Sequence, residues 1–109
     1  MAFSVTWEQD GTGRIVLDGI LDRDTVPEVR RRLFRAVLSK RPRRLFLNLS
    51  TVERMDTAGL ALLVELRNAA TRQGGAFYLE EVPESVQRLI GLARLENLLA
   101  SPNQGPSGQ

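Results

Sequence analysis

A hydroxyl stands beside a carboxylate at Asp56-Thr57, followed by Ala58, Gly59 and a run of apolar residues. Such a pair at the start of a helix invites three kinds of chemistry: nucleophilic attack, acceptance of a phosphoryl group, or docking of a partner. Nucleophilic attack lacks its parts. The chain has no histidine and no cysteine, so the only base beside Thr57 is a carboxylate. Asp22, Asp24 and Asp56 match no standard metal-ligand spacing, and Asp22 and Asp24 fit turn and cap roles instead. Gly11-Thr12-Gly13 has no lysine and no helix after it, so it is no phosphate-cradling loop. No cofactor and no metal are therefore expected. Phosphorylation or docking remains, beside the plainer role of Asp and Thr as helix caps.

The helix behind this pair separates into two sides. At 100° per residue, Gly59, Leu63, Leu66 and Ala70 fall on a core face flanked by Leu60 and Leu62. Thr57, Ala61, Val64 and Asn68 fall on the opposite side, with Glu65 and Arg72 next to them. That stripe of short side chains led by a hydroxyl would let another protein approach closely, although scattered exposed apolar residues are ordinary. The expected partner-binding residues are Asp56, Thr57, Ala58, Ala61, Val64 and Asn68, with Thr57 the candidate phosphosite. Glycine in a first helical turn costs about 1 kcal/mol, so Gly59 suggests a close backbone approach.

The remaining elements must hold this helix start in place. Residues 3–7 alternate apolar and polar, the period of a half-buried strand. Asp10 to Gly13 has turn chemistry, and a second strand runs from Arg14 to Leu17, continued or followed by a short strand over Asp18 to Asp22. Asp24-Thr25 is expected to cap a first helix, with Pro27 and Glu28 in its first turn. Val26, Val29, Leu33 and Val37, with Phe34 and Leu38 flanking them, are expected to face the core. Pro42 ends that region. Leu45 to Leu49 is apolar on both faces except at Asn48, as a central strand covered on both sides would be, and a polar loop is expected to lead on to Asp56. Gly74-Gly75 stops the second helix, and Ala76 to Leu79 is the next strand. Pro83-Glu84-Ser85 opens a third helix with Val86, Leu89, Ile90 and Ala93 inward, and Leu95, Leu98 and Leu99 are expected to close the core. The Pro- and Gly-rich stretch 101–109 reads as a disordered tail after a domain over 1–100.

Composition bounds the function. At 109 residues, 42% hydrophobic and 26% charged, the chain is one ordinary globular domain. No apolar run nears the roughly 20 residues that span a bilayer, and the N-terminus has no signal-peptide pattern. With no cysteine to pair, a cytoplasmic setting fits. Basic residues cluster at Arg30, Arg31, Arg32, Arg35, Lys40, Arg41, Arg43 and Arg44. With Phe34, already assigned to the core flank, the one aromatic among them, and with no base-reading motif, they do not point to nucleic acid. They fit a solvated helix face and its last turn, while anionic lipid headgroups or an acidic partner surface stay open.

From Phe3 to about Leu99, the order of strand, loop, Asp-Thr-x-Gly and apolar helix resembles the STAS domain family. The resemblance implies an α/β fold with a single mixed sheet of four to five strands and about three to four helices, and a regulatory binding module rather than an enzyme. Two branches follow from it. In anti-sigma factor antagonists the residue after this Asp is phosphorylated by a partner anti-sigma kinase, and that position is Thr57. In MlaB-type subunits of phospholipid-transport ABC complexes, the same Thr lies at the contact with the ABC ATPase subunit. The run Val52 to Leu63, the early Trp7, the segment Leu17 to Asp22 and the exit Arg72-Gln73-Gly74 are closer to the MlaB type. Membrane contact would then be indirect, through the transporter at the inner-membrane face. The arginine-rich first helix and the Pro-Gly tail depart from that pattern.

Overall fold

The computed structural model describes residues 3–99. The tail expected over 101–109 lies outside the described residues. Four strands, β1 (Phe3–Trp7), β2 (Thr12–Leu21), β3 (Arg44–Met55) and β4 (Ala76–Glu80), form one sheet in the order β1-β2-β3-β4. Three helices, α1 (Val26–Lys40), α2 (Thr57–Arg72) and α3 (Glu84–Leu92), are followed by a short 3-10 turn at Glu96–Leu98. β1 and β2 form the antiparallel hairpin, while β2, β3 and β4 run parallel. The mixed α/β fold expected from the sequence is the one observed.

The parallel strands advance one place at a time in one direction. Crossovers of this kind are right-handed almost without exception, so α1 and α2 lie on the same face of the sheet. Leu45, Leu47 and Leu49 point into that face and are fully buried, but the residues between them are only half-buried. The expectation of a strand covered on both sides is therefore corrected. Phe46 made the strand look apolar all round. On the open face it stacks on Tyr78 with ring centroids 4.7 Å apart, and Arg14 caps it at 4.6 Å. The cation over the ring face and the stacked partner together shelter an aromatic that has no helix above it.

The stretch expected as a polar loop before Asp56 is also corrected, because β3 runs on to Met55. Its second half pairs with β2 at Asp18↔Thr51, Gly19↔Val52, Ile20↔Arg54 and Leu21↔Met55, with register shifts at Val16/Asp18 and Gly19/Ile20. Only Val52 is buried here, so the alternation that marks a strand is lost among outward polar residues. The Asp18 to Leu21 segment continues β2 rather than forming a strand of its own.

Val26, Val29, Leu33 and Val37 of α1 are buried as expected, but Leu38 is 53% exposed. Leu38 follows Val37 by 100° of helical rotation, which carries it past the edge of the core stripe. Phe34, at the other flank, is half-buried against the core. In α3, Val86 and Ile90 are buried, whereas Ala93 is the exposed C-cap. Leu98 is buried and Leu95 packs on the core, but Leu99 points outward, 41% exposed.

The turn into α1 also differs from expectation. Thr25 is the N-cap residue, yet its side chain caps no helix amide. Its hydroxyl donates to the Ile20 carbonyl at 2.8 Å and accepts from the Asp22 amide at 3.0 Å. The Asp22 carboxylate organises the turn, accepting from the amides of Asp24 at 2.9 Å and Thr25 at 3.1 Å. Those bonds, first from Thr25 and then from Asp24, hold its carboxyl below the usual aspartate range. Asp24 itself is exposed.

Candidate functional site

Asp56 and Thr57 sit where β3 leaves the sheet and α2 begins. Asp56 is the N-cap residue in extended conformation, and its Oδ1 accepts from the amides of Ala58 at 2.8 Å and Gly59 at 3.3 Å. Two of the donors that every helix start leaves orphaned are thus satisfied by one carboxylate. Its own amide donates to the Leu21 carbonyl at 3.1 Å, which ties the helix start to the end of β2.

The cap role belongs to Asp56 alone. Thr57 is the first residue of α2 and is exposed, and its hydroxyl has no hydrogen-bond partner among the described residues. An unengaged hydroxyl at the positive end of a helix dipole is placed to meet an acceptor on another molecule or to carry a phosphate.

Gly59 explains how the helix can begin so close to the sheet. A Cβ built there would lie 2.6 Å from Met55 Cγ and 2.8 Å from the Leu21 carbonyl oxygen. The expected close approach is thus found, and its partner is the end of β2. Gly59→Ala would force the helix start away from Leu21. Overpacking of this kind costs about 1–3 kcal/mol, only partly offset by about 1 kcal/mol of helix propensity. A lowered thermal midpoint and a disturbed Asp56 amide signal are expected, and an unchanged melt would show that the contact yields freely.

Along α2 the expected core face is found: Gly59, Leu63, Leu66 and Ala70 are buried, and so are Leu60, Leu62 and Ala69. Ala61 and Asn68 are exposed on the other side with Thr57, while Val64 is half-buried. Ala58, one residue round from Thr57, packs its methyl partly against the core. The structure therefore brings Thr57, Ala61, Val64 and Asn68 onto one strip, with Asp56 at its head and Ala58 at its inner edge.

Sequence reasoning overlooked the link between this strip and α1. Arg30 Nε lies 2.6 Å from Glu65 Oε1, and the same guanidinium sits 4.9 Å over the ring of Phe34. Glu65 could have been singled out as the one acid on α2, which needs an adjacent cation. Among the described residues no cluster of acids is arranged to hold a metal, and no helix is long and apolar enough to cross a membrane.

The STAS domain family model matches residues 5–104, and the chain belongs to that family. It is 35% identical over 103 residues to the intermembrane phospholipid transport system binding protein MlaB of Escherichia coli K12, covering 92% of this chain and 95% of MlaB. A Thermotoga maritima protein described as a "putative anti-sigma factor antagonist" has the same fold, with a TM-score of 0.78 at 22% identity over 97% of this chain and 92% of its own. So has the Bacillus cell-fate determinant SpoIIAA in its phosphorylated form, with a TM-score of 0.71 at 18% identity over 98% of each chain.

Proposed function

We infer that this STAS domain is a non-catalytic docking module whose contact surface is headed by Thr57, and that its partner is the ABC ATPase subunit of an MlaB-type lipid-transport complex. One observation carries the reading: Asp56 does the capping, so the exposed Thr57 hydroxyl has no structural task of its own. The strip behind it, formed by Ala61, Val64 and Asn68, is short-chained enough for a partner backbone to approach. The 35% identity to MlaB, spread over nearly the whole of both chains, favours this partner. In that setting the domain sits at the cytoplasmic face and meets the membrane only through the transporter.

A second reading has its own support. The same exposed hydroxyl at a helix N-terminus, and the fold shared with SpoIIAA, support phosphorylation of Thr57 by an anti-sigma kinase instead. The wording Asp56-Thr57-Ala58-Gly59-Leu60 and the MlaB identity keep it second.

Thr57→Ala tests the docking role. Because the hydroxyl caps nothing, the melting curve should stay within about 0.5 kcal/mol of the unmodified domain. Binding to the ATPase subunit of the host's own lipid-transport complex should weaken by at least about 10-fold, the loss of roughly 1.4 kcal/mol. Unchanged affinity would remove Thr57 from the interface.

A further inference from the structure

The docking strip does not end on α2. Arg30 meets Glu65, and the Gln73 side-chain amide donates to the Leu38 carbonyl at 3.3 Å. Both pairs are 35 residues apart in the chain, so α1 and α2 run side by side in the same direction and in matched register. Arg30, Phe34 and Leu38, spaced by one turn each, therefore flank the second half of α2. Thr57 and Ala61 head its first half. Leu38 is 53% exposed, and Phe34 is half-buried beneath the Arg30 guanidinium. The surface runs the length of α2, 16 residues, which at 1.5 Å per residue is about 24 Å.

Its electrostatics have one sign along the α1 side. α1 carries five cations against a single acid, Glu28, which is already bound to Arg31. Arg32 and Lys40 reach the other way, over the rings of Phe3 and Trp7 in β1, which leaves Arg30, Arg31 and Arg35. Glu65, the acid facing this side from α2, is bound to Arg30. Arg35, one turn before the exposed Leu38 flank and next to Phe34, has no ion-pair partner among the described residues. An apolar strip lying between two parallel helices and lined by guanidinium groups is complementary to one kind of partner surface.

We propose that the α1–α2 face, from Thr57 to the Phe34–Leu38 strip, receives an acidic amphipathic helix of the partner protein, whose apolar residues cover Phe34 and Leu38 and whose carboxylates meet Arg35 and the neighbouring arginines. Helix-in-groove recognition uses apolar anchors one turn apart, and charged residues at its rim set specificity and association rate. A protein helix fits better than a lipid surface. Two of the arginines are held down in ion pairs, and Phe34 lies in the seam between helices rather than standing out to meet a flat bilayer. The proposal rests on the docking reading above and adds the second half of the surface and the chemistry of its occupant.

The test uses the full chain and two probes. The first is a synthetic amphipathic helix of about 20 residues, long enough to hold helical structure, with leucines at i, i+4 and i+7 and flanking glutamates. A twin peptide has lysine in place of glutamate. The acidic peptide should bind and move the amide signals of Phe34, Leu38 and Glu65. Leu38→Glu or Arg35→Glu should each weaken it at least about 10-fold, and raised salt should weaken it further. Equal binding of the lysine twin, no binding of either, or signals moving elsewhere would overturn the proposal. So would flotation with phosphatidylglycerol vesicles that is lost in Arg35→Glu while the acidic peptide fails to bind. The second probe is the ATPase subunit. Leu38→Glu should weaken its binding as Thr57→Ala does. If only Thr57→Ala weakens it, the acidic-helix proposal falls and the docking reading stands. If Leu38→Glu weakens it and Thr57→Ala does not, the docking reading falls instead.

Discussion

Leu63→Arg is expected to unfold the domain, while Ala61→Arg, two residues earlier on the same helix, is expected to leave it folded and unable to bind. Leu63 is fully buried within the hydrophobic cluster that joins α2 to β2, β3 and α3. A guanidinium there would lose its water, find no carboxylate, and displace close-packed neighbours. An unpaired buried charge costs several kcal/mol, comparable to the whole stability of a domain this size, about 5–15 kcal/mol. Ala61 is exposed on the other side of the helix, where arginine is a good helix former and meets only solvent in the free domain. In the complex its long side chain would stand where a partner backbone must pass. Circular dichroism with heating, run beside calorimetric titration against the ATPase subunit, separates the two effects. Equal loss of fold in both variants would mean that the outer face of α2 is packed in the folded molecule.

Negative charge at Thr57 should produce the second large effect. Phosphate there adds about −1.5 to −2 charges beside the Asp56 carboxylate, and the helix N-terminus can accommodate an anion. The fold should therefore persist in Thr57→Glu while the docking surface changes sign and hydration. For an ATPase-docking subunit, binding should fall by about 100-fold or more, near 2.7 kcal/mol, and the chain isolated from its host should carry no phosphate by intact mass. For a partner-switching antagonist, Thr57→Glu should reproduce the phosphorylated protein and release an anti-sigma kinase. Stoichiometric phosphate on the native chain, together with no affinity for the ATPase, would move the assignment to the second reading.

Much of the fold was legible because its signals are local. The period-two pattern of Phe3 to Trp7, the Gly74-Gly75 stop and the 3.6-residue spacing of Leu63, Leu66 and Ala70 depend only on neighbours along the chain. What escaped depended on partners elsewhere. The second half of β3 is a strand because β2 lies beside it, and the polar side chains of residues 50, 51, 53 and 54 hide that pairing. Whether the second face of Leu45 to Leu49 is covered depends on which way the crossovers turn, which Phe46 cannot reveal. At the site, Asp56 and Gly59 were readable as a cap and a close approach. That Thr25 turns its hydroxyl backward to Ile20, and that Arg30 reaches across to Glu65, could be seen only once the elements were assembled.

Splitting the work at the head of α2 between adjacent residues has an evolutionary consequence. Asp56 holds two amides and the end of β2, and Gly59 admits the Leu21 carbonyl, so substitutions at either are filtered by foldability before any partner is met. Position 57 escapes that filter. Serine, threonine or a larger side chain can be sampled there almost without thermodynamic penalty, each altering only what the neighbouring molecule encounters. On the docking reading proposed above, such a scaffold can adjust how it meets a partner at position 57 without disturbing the cap and the close approach that build its fold.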